Sequence, residues 1–212
     1  MIHPHTEIRF INEIIGHGVV ATKFIPAGTI TWALDRLDRE FTPGEFDKLD
    51  PLYQNILETY SYRNKLGNLV LCWDNGRFVN HSFKSNCLST AYDFEIAIRD
   101  IHPGEQLTDD YGYLNVTEPF TGIDEGTTRK TVYPDDLLNY ASQWDEQVKA
   151  VFDDILEVEQ PLGSLLSKEV WNTINLIKSR KIEMASIAEN YYNPSNLTND
   201  CYITSIKILF NI

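Results

Sequence analysis

Cysteine is scarce in this sequence, and long apolar runs are missing from it. The 212 residues contain three cysteines, Cys72, Cys87 and Cys201, and no CxxC pair. An odd number at this spacing argues against both a disulfide framework and a cysteine zinc cluster. The longest apolar runs are too short to cross a bilayer, and residues 1–7 lack the features of a signal peptide. We therefore expect a protein of the cell interior, cytoplasmic or nuclear, without a membrane partner.

Basic side chains are also few. Lysine and arginine number 18 against 31 aspartate and glutamate residues, a formal net charge of −13. Such a surface repels phosphate backbones, so we expect no direct contact with nucleic acid. It attracts a basic peptide, although acidity is also a common route to solubility. Hydrophobic residues make up 42% of the chain, which is enough for one full globular core.

The first part of the chain reads as strands separated by turns. Short β-branched runs at 8–15, 19–25 and 29–34 predict three strands. Gly16 and Gly18 flank His17 in the first turn, where glycine permits positive φ and lets a ligand approach the backbone. A lone GxG more often marks a plain hairpin turn, and the long helix of a dinucleotide fingerprint does not follow it.

A helical insert is predicted at about 42–59. Thr42 and Glu45 form a capping box, and a second start at Asp50-Pro51 places Leu52, Ile56 and Leu57 on one face. Apolar runs interrupted by turn residues then predict two hairpins, at 60–73 and 88–99.

Between these hairpins, residues 77–87 place Asn80, His81, Ser82 and Asn86 among apolar residues. A buried Asn or His must find hydrogen-bond partners or cost a few kcal/mol, about 1–3 for each group. A functional site and a polar turn are both open interpretations of this segment alone.

Two tyrosines flank a glycine further along the chain. The order Tyr111-Gly112-Tyr113 lets two phenols lie on one side of a sharp bend. The alternative is two aromatic rings that pack at a strand end.

The composition changes from Tyr133 onward. Apolar spacing predicts helices at 134–155 and 167–190, and a strand at 202–210. We expect a catalytic unit at 1–118 and a mainly helical region at 119–212, which serves as a lid, a wall of the site or an interaction surface.

Three motifs occur in an order that resembles the SET-domain protein-lysine N-methyltransferases. They are GHGVVA at 16–21 followed by IPAGTI at 25–30, RFVNHS at 77–82, and IHPGEQLTDDYG at 101–112. The resemblance covers about residues 8–115. It implies a mostly β fold of the β-clip type, with small curved sheets, a knot-like crossing of the two later motifs and appended helices.

The resemblance also implies S-adenosylmethionine as the cofactor. Backbone groups around Gly16, His17 and Gly18 would meet its methionine part, and Asn80 with His81 its adenosine side. In this family a tyrosine on the strand before the second motif also lines the cofactor pocket, and Tyr60 is the candidate for it. Tyr111 would lie at the methyl-transfer centre and act with Tyr113.

The chain departs from the family at one informative position. Many members carry a cysteine after Asn-His-Ser that binds zinc together with a later cysteine cluster. Phe83 stands at that position, and no cysteine cluster follows Tyr113. We therefore expect a stand-alone member without a metal, in which Phe120 or the helix after Pro134 closes the site.

Methyl transfer to a lysine requires a neutral amine. A lysine amine has a pKa near 10.4, so its neutral form at pH 7 costs roughly 4.6 kcal/mol. An apolar channel lowers that pKa by desolvation, and a phenol oxygen can orient the amine. We expect methyl transfer to a lysine of a basic, histone-like protein substrate. The alternatives are a non-catalytic SET-fold module that binds through its C-terminal helices, and transfer to a small amine or a non-histone lysine.

Overall fold

The structure is a computed structural model that describes residues 1–194. Its strands are β1 (Thr6–Asn12), β2 (Gly16–Ala21), β3 (Ile30–Ala33), β4 (Arg39–Phe41), β5 (Ser61–Arg63), β6 (Leu69–Leu71), β7 (Asn80–His81), β8 (Cys87–Ser89), β9 (Phe94–Ala97), β10 (Thr108–Asp109), β11 (Phe120–Thr121) and β12 (Thr131–Val132). Its α-helices are α1 (Pro43–Phe46), α2 (Pro51–Tyr60), α3 (Asp136–Phe152) and α4 (Lys168–Lys178). Short 3₁₀ helices cover Asn75–Phe78, Tyr111–Tyr113, Asp153–Leu156 and Ile187–Asn190. The strand predicted at 202–210 lies outside the described residues.

The strands form several small sheets. Two of them have three strands, in the orders β3-β9-β8 and β4-β6-β5. The pairs β1-β2 and β11-β12 are antiparallel, whereas β7 and β10 are parallel. Small sheets with appended helices are the predicted fold class, which is confirmed.

Local sequence signals account for the insert. Thr42 Oγ1 accepts a hydrogen bond from the Glu45 N–H at 3.2 Å, and the Glu45 carboxylate accepts one from the Thr42 N–H at 2.8 Å. The predicted capping box is therefore confirmed. The predicted face of α2 is wrong in part, because Leu57 is buried but Leu52 and Ile56 are exposed. This helix covers the small β4-β6-β5 sheet with a single apolar turn and presents the rest to solvent.

Both predicted hairpins are confirmed. Strands β5 and β6 pair antiparallel around a turn in which Gly67 has a φ of 82°. Strands β8 and β9 pair around Asp93, which has a φ of 58°, a value that Asp tolerates better than most residues.

A buried asparagine fixes the parallel crossing of β7 and β10. The Asn86 side chain donates to Gln106 O at 2.7 Å and accepts from the Thr108 N–H at 2.9 Å. Since Asn86 is almost fully buried, these bonds satisfy groups that would otherwise destabilise the fold. The side chain therefore ties the chain after β7 to the segment that enters β10.

The helices after residue 118 share a hydrophobic core with the sheet that precedes them. Buried Leu88, Phe94 and Ile96 from β8 and β9 cluster with Trp144 and Phe152 of α3. Burial of each such side chain contributes roughly 1.5–3 kcal/mol. The C-terminal region is therefore packed onto the strand-rich region.

The two predicted C-terminal helices differ in outcome. The first is confirmed as α3 with its 3₁₀ extension. The second is wrong beyond Lys178, because the chain turns at Arg180, which has a φ of 56°, and Ile187 enters the core from a separate short helix. The apolar spacing continued past the end of α4 because both segments face the same core. No helix within residues 1–194 has the length and apolar character needed to span a bilayer.

Candidate active site

The crossing of β7 and β10 brings Tyr111 to the Asn80-His81 pair. Thr108 pairs with Asn80 and Asp109 with His81. The backbone N–H of Tyr111 donates to His81 Nδ1 at 3.2 Å, and the two rings lie 5.4 Å apart. The Tyr111 hydroxyl donates to Val79 O at 2.6 Å. Two segments about thirty residues apart thus converge, as the motifs predicted.

Strand alternation also exposes the backbone of His81. The Ser82 N–H donates to Asp109 O at 2.8 Å across the parallel pair. In a parallel ladder the bonded groups belong to alternate residues, so the N–H and C=O of His81 point away from β10. These two groups are therefore oriented to meet a ligand on the other side of the strand.

The Asn80 side chain connects this strand to the glycine turn. Its Nδ2 donates to His17 O at 3.0 Å and to Gln106 Oε1 at 2.9 Å. A Cβ on Gly18 would come within 2.7 Å of Asn80 Nδ2, so a side chain there would break the contact. A side chain at position 18 would therefore force the Asn80 amide and the Gln106 side chain to shift.

The other residues of the turn have separate roles. Gly16 has a φ of 78°, which favours glycine, at the start of β2. The exposed His17 ring packs edge-on against Phe10 of β1, with 5.7 Å between the ring centroids. His17 therefore faces Asn80 with its carbonyl, and its imidazole lies on the outer hairpin.

The His81 ring is enclosed by aromatic side chains. Phe83 and Phe120 pack edge-on against it, with centroids at 4.4 Å and 5.4 Å. Burial lowers the pKa of His81, and its Nε2 has no hydrogen-bond partner in the part of the chain that the structure describes. Because Nδ1 accepts from Tyr111, the neutral ring carries its proton on Nε2.

The hairpin that joins β11 to β12 closes this face. Glu125 accepts hydrogen bonds from the Ser82 hydroxyl and from the Phe83 N–H, both at 2.7 Å. Gly122 lets the hairpin lie directly on the rings of Phe83 and His81. The expectation that Phe120 helps to close the site agrees with its position on this hairpin.

Arg129 anchors the far strand of the same hairpin. Its guanidinium pairs with Asp110, next to Tyr111, and with Asp136 at the start of α3. It also lies over the Phe83 ring, with 5.0 Å from Cζ to the ring centroid. The two ion pairs therefore hold the hairpin against α3 and against the segment that contains Tyr111.

Two cavities meet these elements. The larger, about 840 Å³, is lined by Tyr60, Tyr62, Val79, Tyr111 and Tyr113 among others. Burial raises the pKa values of both Tyr111 and Tyr113 well above the ordinary range, so both phenols are protonated. The larger cavity therefore presents neutral phenols beside Val79.

The smaller cavity, about 140 Å³, lies on the other side of the crossing. It is lined by Asn80, His81, Gln106 and the hairpin residues Ile123 and Glu125, and by Ile15, Ser82 and Thr108.

Tyr60 lies in the larger cavity, and its ring packs on Phe78 with 5.5 Å between the ring centroids. The structure thus brings Tyr60, Tyr111 and Tyr113 together, and places Tyr60 apart from the glycine turn.

Several site residues escaped the sequence reasoning. Tyr62 lies on β5, whereas Tyr60 ends α2, so Tyr62 fits better the expectation of a tyrosine on a strand. Glu95 and Asp109 line the larger cavity, and Glu125 and Arg129 hold the hairpin. The two adjacent aspartates at 109–110 could have indicated a site from the sequence. Their partners Glu95 and Arg129 could not be identified in this way, because they are distant in the sequence.

Comparison with known proteins finds a match over part of the chain. Residues 16–112 match the family model described as SET domain. No curated protein matches the chain. Within residues 1–194, no group of three or more His, Cys, Asp or Glu side chains is arranged to hold a metal ion. The matched range ends at Gly112, so the hairpin of β11 and β12 lies beyond it.

Proposed function

Because this chain carries a SET domain at residues 16–112, we propose that it transfers a methyl group from S-adenosylmethionine to a lysine ε-amine of a protein. The SET domain is typically the fold of S-adenosylmethionine-dependent lysine methyltransferases. One observation carries the proposal: the Tyr111 hydroxyl is held on Val79 O, beside the Asn80-His81 crossing and inside the larger cavity.

The residues at the crossing suit this cofactor. The N–H and C=O of His81 point away from β10, His17 presents its carbonyl, and Phe120 offers a ring beside them. When bound, the cofactor supplies a sulfonium with a reactive methyl group. The smaller cavity, at about 140 Å³, is below the roughly 300–1,000 Å³ of most ligand sites, so it would hold only part of the cofactor.

The phenols of the larger cavity suit a lysine side chain. Since the Tyr111 hydroxyl donates its proton to Val79 O, its lone pairs are left to accept a hydrogen bond from an amine. Tyr60, Tyr62 and Tyr113 supply aromatic walls for the aliphatic stem. Alignment of an amine in such a channel can contribute several kcal/mol, about 7–11 in intramolecular reactions.

The charge of the molecule favours a basic substrate. The net charge is −13, and exposed Glu40, Glu58 and Glu118 lie at the edge of the larger cavity. Arg63, Lys65 and Arg77 line the same cavity and offset these carboxylates there, so the attraction rests on the net charge of the whole molecule. We propose a lysine flanked by basic residues, as in a histone-like tail, as the target.

We also propose how the chain is divided. Residues 1–118 form the catalytic unit, and the region from 119 supplies the closing hairpin and a helical wall. The buried free thiols of Cys72 and Cys87 agree with a reducing compartment, the cytoplasm or the nucleus.

The test has two parts. Calorimetry with S-adenosylmethionine measures cofactor binding, and mass spectrometry of a lysine peptide array measures transfer. We expect Tyr111→Phe to retain cofactor affinity and lose most transfer, whereas Tyr53→Phe, an exposed tyrosine on α2, keeps both. Lack of cofactor binding would favour the non-catalytic module, and full transfer by Tyr111→Phe would refute the role of this phenol.

A further inference from the structure

Two carboxyl groups lie at the inner end of the larger cavity. Asp109 of β10 is 5% exposed and Glu95 of β9 is 8% exposed. Glu95 accepts a hydrogen bond from the Ser89 hydroxyl at 3.2 Å. Within residues 1–194, Asp109 Oδ1 and the Tyr113 hydroxyl make no well-formed hydrogen bond, although Asp109 interacts with both Tyr113 and Glu95, and all three residues line the cavity. Buried polar atoms that are incompletely satisfied at a cavity wall indicate a site for a polar ligand.

The backbone explains why Asp109 lies on the same side as Tyr111. Side chains two residues apart in extended chain point to the same face. Asp110, between them, turns the other way, where it pairs with Arg129 and accepts from the Gly112 N–H at 3.0 Å. One acid of the repeated pair is thus neutralised, and the other faces the cavity.

No basic side chain compensates Asp109 and Glu95 among the described residues. The titratable groups that act on the pair are Tyr62, Cys72, Cys87, Asp110, Tyr111, Tyr113 and the N-terminal ammonium. Of these, the ammonium alone is a cation, and its effect on Glu95 is the smallest. Burial raises the pKa of Glu95 to about 7 and that of Asp109 well above its usual range. Near neutral pH the pair holds a proton between its two carboxyl groups.

We propose that the Asp109–Glu95 pair is the binding site for the substrate's lysine ammonium and the acceptor of its proton. This inference rests on the proposed methyltransferase function. It adds an anionic subsite that discriminates a cation with an alkyl stem from a neutral side chain of the same length.

The proton balance is simple. The pair holds one proton and one negative charge, and the lysine arrives as an ammonium ion. One proton moves from Nζ to the free carboxylate, which leaves a neutral pair and a neutral amine. With S-adenosylmethionine bound, the nitrogen lone pair would take its methyl group, the bond from that carbon to sulfur would break, and the positive charge would end on nitrogen. The pair would release one proton to solvent when the product leaves.

The first test measures binding of butylammonium, which copies the lysine side chain, by NMR titration. We expect the double variant Asp109→Asn with Glu95→Gln, which removes the one negative charge of the pair, to weaken binding roughly tenfold or more, since a charge-assisted contact is lost. Each single variant should weaken binding less, because the remaining carboxyl group keeps the charge. Glu183→Gln removes an exposed charge outside the cavity and should leave the affinity unchanged. Neutral butan-1-ol should bind the native protein and Asp109→Asn equally. Equal butylammonium affinity in the native protein and in the double variant would overturn the proposal.

The second test measures transfer against pH. We expect Asp109→Asn to lose about a hundredfold in kcat at pH 7.5, within the range for proton acceptors. The loss should shrink towards pH 10, where solvent deprotonates the amine. A variant with native kcat at pH 7.5 would refute the role of proton acceptor.

Calorimetry with S-adenosylmethionine separates this inference from the proposed function. If the native protein binds butylammonium through the pair but does not bind the cofactor, the proposed methyltransferase function is contradicted. The proposed cation site is then retained. Cofactor binding with transfer that is indifferent to both carboxyl variants contradicts the pair alone. Thermal unfolding followed by circular dichroism establishes whether each variant is folded. If Asp109→Asn does not fold, Glu95→Gln takes its place in both tests.

Discussion

Replacement of Glu95 by glutamine should change how the stability of the protein depends on pH. Burial raises the pKa of Glu95 from its ordinary 4.5 to about 7. A carboxyl group with a raised pKa binds a proton more tightly in the folded state. The folded state therefore holds more protons between pH 4.5 and pH 7, and stability falls as pH rises through this window.

The size of the effect follows from the two pKa values. At about 1.4 kcal/mol for each pKa unit, the difference corresponds to roughly 3 kcal/mol of unfolding free energy. Glu95→Gln keeps the shape and removes the charge. The variant should match the native protein near pH 4.5 and be about 3 kcal/mol more stable above pH 7.

A histidine hides this effect in the native protein. Burial lowers the pKa of His3 from 6.5 to about 4, so the unfolded state holds more protons between these values. Stability then rises with pH across pH 4 to 6.5, opposite to the contribution of Glu95. The two terms act against each other there, so the native profile alone does not display the contribution of Glu95. The difference between native protein and variant isolates Glu95.

The assay is urea unfolding followed by tryptophan fluorescence at pH 4.5, 6 and 7.5. Glu183→Gln, which removes an exposed carboxylate, is the matched control and should track the native protein. Parallel profiles for the native protein and Glu95→Gln would refute the claim that Glu95 is buried without compensation.

Two further predictions concern the closing hairpin and the glycine turn. Arg129→Met should lower the free energy of unfolding by about 3–5 kcal/mol in denaturant titrations, because it leaves two buried carboxylates unpaired; a loss below 1 kcal/mol would contradict the anchor. Gly18→Ala should weaken S-adenosylmethionine binding in calorimetry at least about tenfold, because its methyl group displaces the Asn80 amide. Gly44→Ala, where a Cβ meets open space, is the control, and equal affinities in the two alanine variants would oppose this reasoning.

Local signals made much of the fold predictable. The capping box at Thr42, the turn at Asp93 and the apolar spacing of α3 act between near neighbours, and each formed as predicted. The end of α4 was missed because Ile187, from a separate segment, continued the spacing towards the same core. Apolar periodicity reports which side chains face the core, and it does not report whether the chain between them is continuous.

The site was predictable where a motif carried it. The motifs predicted that Asn80, His81 and Tyr111 would meet, and the structure brings them together through the parallel pair β7-β10. The placement of Tyr60 in the larger cavity depended on the end of α2, which the sequence did not locate to the residue.

The sequence by itself determined the order of turns, caps and motifs, because these depend on the backbone preferences of adjacent residues. Tertiary structure alone decided that Asp109 meets Glu95 while Asp110 meets Arg129. It also decided that the hairpin after Phe120 covers His81. The physical reason is desolvation: how strongly a carboxyl group holds its proton depends on which distant segments exclude water from it, and no local pattern encodes those partners.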